Sequence, residues 1–328
     1  RGRARPAPTR GDMVSTLALF VRPLFIYLPF ITLLALWLSP RSELRSADPN
    51  SQAGVTEKRS TIHLNRFPWF SSVTFLVPVV LLLGGWVSFI HARFGDWSLT
   101  TMTGYHLVQH TGSFFEYVPD EYASLRDIYI QYRDAHIAEY GTQTNTIWEA
   151  IPEMSQATGY SFYGLSRVLV RISIQLILRH PLLYLQSVAT GWWMFWRTAV
   201  YWSADALRFG WMAAVIQSAI LAERAVLFLT NLMFIFASLA FSISESQAGI
   251  RHDPSRRILH FNNLGTRAYT WFSLGTIWIA SVVQTLLDHG DNPRFLVPLQ
   301  SLVVLWVAVF IYQIALNKGS LIKHSAKI

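Results

Sequence analysis

At 328 residues, with 52% hydrophobic and 14% charged side chains, the chain has too few charges to cover a water-soluble surface, for which about 25% is usual. Its net charge of +8 comes from basic residues spread over several segments. They do not form one patch with interleaved aromatics, so no nucleic-acid role is indicated. Cysteine is absent, which excludes disulfide frameworks, thiolate zinc sites and cysteine nucleophiles.

The elements expected from hydropathy make an all-α, polytopic transmembrane helix bundle with a sizeable helical segment on its outer face. Residues 1–12 are a basic stretch carrying Arg1, Arg3, Arg5 and Arg10. No small-residue cleavage site follows and the first methionine is Met13; the chain is therefore expected to begin partway through a longer natural protein, or at a misassigned start. Residues 13–90 hold the first membrane helices. The pair Arg22-Pro23 separates residues 14–21 from an apolar run at 23–38, because proline is tolerated at a helix start and disfavoured inside one. Residues 39–69 carry five basic residues against three acids and are expected on the cytoplasmic side. Residues 70–90 then supply about the 20 apolar positions needed to cross a hydrocarbon core.

Residues 91–223 form the expected outer segment. Within it, residues 91–180 hold nine of the 19 acids with six basic residues. The run HARFGDWSLTTMTGYHLVQHTGSFFEYVPDEYASLRDIY reads as loop and turn before a helical stretch near Asp120, with the glycines of GYHLVQHTG marking turns. His106 and His110 stand four apart, a spacing that holds a metal on a helix, but no third ligand or intervening glutamate accompanies them, so no metal is expected. Along residues 165–180, Arg167, Arg171, Gln175 and Arg179 share one face at i, i+4 spacing, as on an amphipathic helix at a membrane surface. The face serves either as a solvated, headgroup-facing stripe or as a lipid-phosphate site. Residues 181–223 interleave five tryptophans with Arg197, Asp205 and Arg208, which suits the outer interface. A full span there is the competing reading, at about 2.5 kcal/mol or more for a central arginine. Residues 224–328 complete the bundle with spans at 225–243, 269–287 and 295–316 and a basic cytoplasmic tail.

Several runs resemble a known family. GYHLVQHTGSFFEYVPDEYASLRDIYI, ATGYSFYGLSRVLVRISIQLILRHPLLYLQSV and the WWMFW cluster look like the downstream half of bacterial integral-membrane glycosyltransferases of the GT-C class, relatives of the protein mannosyltransferases. ALFVRPLFIYLPF and DHGDNPRFLVPLQSLVVLW resemble, respectively, the outer Arg-Pro turn and the last outer loop with its final helix. The resemblance implies transfer of a sugar from a polyprenyl-phosphate carrier to an acceptor, at the outer face of a bacterial inner membrane, with no cofactor and with membrane lipids as partners. A phosphate leaving as an anion needs cations near the interface, and Arg22 and Arg294 are the candidates, with Arg167 and Arg171 behind them. In that class the catalytic carboxylate lies in a first outer loop, which has no counterpart here. The catalytic residue stays unassigned, with Glu116 and Asp120, and beside them Glu121, as the outer-side carboxylates. A noncatalytic membrane subunit or a transporter-like protein is the alternative reading.

Overall fold

The structure, a computed structural model, describes residues 29–33, 69–95, 97–198, 210–250, 264–290 and 292–325. Every element among them is helical: α1 (Trp69–Phe94), α2 (Thr103–Thr111), two 3-10 turns at Gly112–Tyr117 and Asp120–Tyr122, α3 (Ala123–Tyr140), α4 (Thr146–Thr158), α5 (Phe162–Arg179), α6 (Pro181–Phe195), α7 (Gly210–Ile250), α8 (Leu264–Leu287) and α9 (Pro293–Ser325). A short helical piece at 29–33 precedes them. Arg22 and the rest of the Arg-Pro turn lie outside the described residues.

Four helices are long and apolar enough to cross a membrane, over Leu76–Phe94, Gly210–Gln247, Tyr269–Leu287 and Pro293–Ala315. The bent pair α4 and α5, broken at 101°, meets the same test only when joined. The chain is thus a multi-pass helical membrane protein, and the four spans fall on the four stretches expected from hydropathy. Within the stretch 181–223 two helical pieces are described, and Trp202, Asp205 and Arg208 lie outside the described residues. The first is α6, which at 15 residues and about 1.5 Å per residue is some 22 Å long, short of the roughly 30 Å hydrocarbon core. The second, from Gly210, continues without a break into the next span, giving a helix of 41 residues. Trp211 belongs to that helix rather than to a separate interfacial element.

The chain falls into two compact units, Arg1–Gly85 with Phe261–Phe272, and Trp86–His260 with Ser273–Ile328. In the first, the described part of α1 turns Val73, Val77, Val80, Leu81 and Leu82 outward while Val79 is buried, the pattern of a helix facing lipid.

The second unit contains an extramembrane core in which Tyr105, Val108, Phe115, Ile147, Met154, Leu165, Leu169, Ile172 and Leu176 are all completely buried. Each such side chain contributes about 1.5–3 kcal/mol through burial. α5 supplies Leu165, Leu169, Ile172 and Leu176 at helical spacing, and its arginines point the other way, as the amphipathic pattern predicts. Ser161 caps the helix, its hydroxyl accepting from the Gly164 N–H at 3.1 Å.

Residues 97–102 are loop and turn as expected, and Gly95 has a φ of 82°, but from Thr103 onward the expected loop is instead α2 and a 3-10 turn. The glycines at 104 and 112 are set within these helical elements. Gly104 is the second residue of α2, and a Cβ there would stand 2.0 Å from the Ser166 carbonyl oxygen of α5. Glycine is required at that point because the two helix backbones touch.

A second core in the same unit packs α6, α7 and α9. Trp196 stacks on Phe234, which meets Trp306 edge-on. Asn231 ties the elements, donating to the Trp196 carbonyl at 3.0 Å and accepting from Gln300 at 2.8 Å.

Candidate functional site at the α8–α9 loop

α8 ends at Leu287 and α9 begins at Pro293, so residues 288–292 connect two spans and lie at a membrane face. This short connection is buried against α2 and α6. Asp288, His289 and Asn292 are 4%, 8% and 0% exposed, burial that such polar groups sustain only with partners.

Those partners come from α2 and α6. Asp288 Oδ2 lies 3.1 Å from His106 Nδ1, across 182 residues of sequence. Its Oδ1 accepts from the Gly290 N–H at 2.8 Å. Burial works to raise the Asp288 pKa, but the His106 hydrogen bond and charge and the Gly290 N–H outweigh it and hold the carboxyl below its ordinary value. An ionised carboxylate only accepts, so His106 Nδ1 carries a proton toward Asp288, and in the neutral form of the ring Nε2 presents its lone pair. The His106 side chain is 31% exposed against 6% for Asp288, and Trp148 meets its ring edge-on at 5.9 Å. A buried carboxylate thus fixes the tautomer of a half-exposed imidazole.

Behind this pair runs a buried chain of hydrogen bonds. His289 Nδ1 lies 2.9 Å from the Ser187 carbonyl and 2.9 Å from the Ser187 hydroxyl. A carbonyl only accepts, so His289 Nδ1 is the donor, and the Ser187 hydroxyl is left to donate to His110 Nδ1 at 3.0 Å. His110 then carries its proton on Nε2, a buried atom in no hydrogen bond. Burial first and the neighbouring His289 second push its pKa down to about 3, against the opposing charge of Asp288 and the nearby Thr285 backbone. Burial likewise lowers His289, outweighing the Ser187 carbonyl and Asp288. Both rings are neutral at physiological pH.

Two more contacts close the junction. Gln109 grips Asn145 twice, through the Asn145 N–H at 3.0 Å and the Asn145 side-chain oxygen at 3.1 Å. Asn145 holds a φ of 70°, a left-handed conformation that asparagine tolerates better than most residues. On the other side, Asn292 donates to the Gly191 carbonyl at 3.1 Å. A Cβ at Gly191 would stand 2.9 Å from Asn292 Nδ2, so glycine there lets α6 approach the loop.

The sequence candidates lie in different settings. Glu116 pairs with the buried Arg133 at 2.6 Å. Arg133 also donates to the Gly112 carbonyl at 3.1 Å. Burial would raise the Glu116 pKa, but Arg133 holds it below its ordinary value. Asp120, whose side chain is 94% exposed, pairs with Arg126 at 2.7 Å, and Glu121 is exposed. Glu116 and Asp120 are thus engaged by arginines of α3. Arg294 is exposed in the first turn of α9, its guanidinium 5.0 Å from the Phe295 ring centroid. Arg167 and Arg171 line a groove on α5. His106 and His110 do share a helix, but each points to a different partner, and among the described residues no cluster of three His, Asp or Glu is arranged to hold a metal.

The residue missed from sequence is Asp288. Its signal was an ionisable side chain directly after an apolar span. No family model, curated protein or solved structure matches the chain.

Proposed function

We propose that the chain is a membrane transferase in which His106, oriented by Asp288, acts as general base, and that it moves a sugar from a polyprenyl-phosphate carrier to an acceptor at the outer face of a bacterial inner membrane. The observation that carries the catalytic part is the pair itself, a half-exposed imidazole whose second nitrogen is held by a buried carboxylate. The sugar and its carrier rest on the resemblance of the Trp86–Trp196 region and of DHGDNPRFLVPLQ to GT-C glycosyltransferases.

The chemistry is direct. An acceptor hydroxyl gives its proton to His106 Nε2 as its oxygen attacks the anomeric carbon. The bond from that carbon to the phosphate oxygen breaks, configuration inverts, and polyprenyl phosphate leaves as an anion. The imidazolium formed is stabilised by Asp288, as a buried carboxylate does in other imidazole-based catalysts. Arg294, six residues beyond Asp288 and exposed, is available to the leaving phosphate.

One observation favours a second reading. His110, Ser187 and His289 are buried and neutral and are bonded among themselves, which is what a structural clamp between the outer helices and the spans of a noncatalytic subunit needs. The deciding experiment supplies membranes containing the chain with radiolabelled sugar on polyprenyl phosphate. Transfer above membranes that lack the chain supports the enzyme. Absence of transfer across hexose and pentose donors supports the clamp.

A further inference from the structure

The α8–α9 loop is held from two sides. On the α2 side His106 meets Asp288, and a Cβ at Gly290 would stand 3.0 Å from Gln109 Nε2. On the other side lies α6, which reaches the loop along a single face. The Tyr184 hydroxyl donates to the Leu286 carbonyl at 2.7 Å, the Ser187 carbonyl accepts from His289 Nδ1 at 2.9 Å, and the Gly191 carbonyl accepts from Asn292 Nδ2 at 3.1 Å. Positions 184, 187 and 191 are three and four apart, so one line along α6 carries all three bonds. They engage successive points of the chain, from the last turn of α8 to the start of α9.

Two further observations make α6 the element that sets this fit. Its far end is pinned by a different helix: Trp196 is completely buried, its ring stacks on Phe234 at 5.7 Å, and its carbonyl accepts from Asn231 of α7 at 3.0 Å. The second observation is Asn292. Standing just before Pro293, it holds the position from which an asparagine side chain caps its own helix by accepting from a backbone N–H. Its Oδ1 is buried and accepts no bond, while Nδ2 is turned to Gly191. The side chain holds α6 and leaves α9 without that cap. The approach is close as well, since a Cβ at Gly191 would stand 2.9 Å from Asn292 Nδ2 and 3.4 Å from His289 Nδ1.

We infer that α6 is a positioning element for the His106–Asp288 pair, with Gly191 setting the distance between α6 and the loop, so that Asp288 is kept within reach of His106 by contacts neither residue makes. The kinetic consequence rests on the transferase reading; the geometric one stands without it.

The test is Gly191→Ala in the full chain. Its methyl lies 2.9 Å from Asn292 Nδ2, where ordinary contact begins at 3.4 Å, so α6 and the loop must part by about half an ångström. Nitrogen-15 NMR of histidine-labelled protein in detergent, with the His106 signals assigned by their loss in His106→Gln, reads the tautomer of His106. The native ring is expected to be protonated on Nδ1 and the variant ring to be a mixture of both tautomers. In membranes kcat is expected to fall about tenfold to a hundredfold, with the KM for the lipid-linked donor unchanged. Thr190→Ala, on the exposed side of α6, leaves tautomer and turnover as they were. Tyr184→Phe removes one bond to the loop without adding an atom, and shifts the tautomer in the same sense as Gly191→Ala even if the latter fails to fold. A native tautomer in a folded Gly191→Ala, or in Tyr184→Phe, overturns the inference. A native chain without transfer activity sinks the transferase reading alone, and the tautomer then decides the role of α6.

Discussion

Replacing Asp288 by asparagine changes one atom type in a buried hydrogen bond and reverses its direction. In the native protein Oδ2 accepts from His106 Nδ1 at 3.1 Å while Oδ1 accepts from Gly290 at 2.8 Å. In Asp288→Asn the amide oxygen keeps Gly290, and the amide NH2 faces His106, whose Nδ1 must then accept. The imidazole proton moves to Nε2. The number of hydrogen bonds is unchanged, so stability falls only by the difference between a charge-assisted bond and a neutral one, about 1 kcal/mol. A general base whose lone pair has been turned inward loses its whole contribution, typically about 10²–10⁴ in rate. The two effects separate experimentally. Thermal unfolding in detergent, followed by tryptophan fluorescence, reads the first, and 15N NMR of histidine-labelled protein reads which nitrogen of His106 is protonated. A native His106 protonated on Nε2, or a variant whose tautomer is unchanged, refutes the reasoning.

Acid has a predictable effect on the same junction. The folded-state pKa of His110 is depressed from 6.5 to about 3, so its contribution is fully present above about pH 6.5 and is lost as pH falls toward 3, at about 1.4 kcal/mol per unit. Between pH 7.5 and 5 this removes about 2 kcal/mol, and His289 acts in the same direction, whereas the contribution of the depressed Asp288 is intact over that range and is lost only as pH falls below about 4. An unfolding midpoint flat from pH 7.5 to 5 contradicts the burial of both rings. Gly104→Ala, which sets a methyl 2.0 Å from the Ser166 carbonyl, is expected to cost about 3 kcal/mol by forcing α2 from α5. Gly84→Ala, with nothing within 4 Å of its Cβ, is expected to be neutral or up to about 1 kcal/mol stabilising; equal unfolding temperatures for the two variants exclude the close approach. Arg133→Ala strands the Gly112 carbonyl and releases Glu116, with an expected loss of about 2–3 kcal/mol. Glu116→Gln loses under about 1 kcal/mol and keeps transferase activity; a large drop in turnover for Glu116→Gln restores that carboxylate as a catalytic candidate.

The membrane architecture was legible because it is a local property. Runs near residues 70–90, 225–243, 269–287 and 295–316 are apolar over the length a bilayer demands, and each is helical. The i, i+4 arginines of α5 were legible for the same reason, since a 3.6-residue period exposes one face and buries Leu165, Leu169, Ile172 and Leu176 on the other. α2 was hidden because Gly104 and Gly112 suggest turns in sequence, whereas their role is steric: one admits the α5 backbone and the other the Tyr129 hydroxyl. The continuity of α7 was hidden by Glu223 and Arg224, charges that mark a boundary in hydropathy but not in the backbone. The junction itself was the least legible part. His106 was visible as half of a histidine pair and Asp288 as one charge in a short loop, and nothing local relates two residues 182 apart. Glu116 and Asp120 drew attention as outer-side carboxylates because sequence does not show that Arg133 and Arg126 hold them.

The most direct test of the central claim is the turnover number for sugar transfer from polyprenyl phosphate, measured for the native chain and for His106→Gln in the same membranes. The account predicts transfer by the native chain and a loss of at least about a hundredfold in kcat for the variant, with the KM for the lipid-linked donor little changed, because His106 acts on the acceptor proton rather than on the carrier. A variant that transfers as fast as the native chain would contradict the assignment of His106 as base and leave its pairing with Asp288 as a structural clamp.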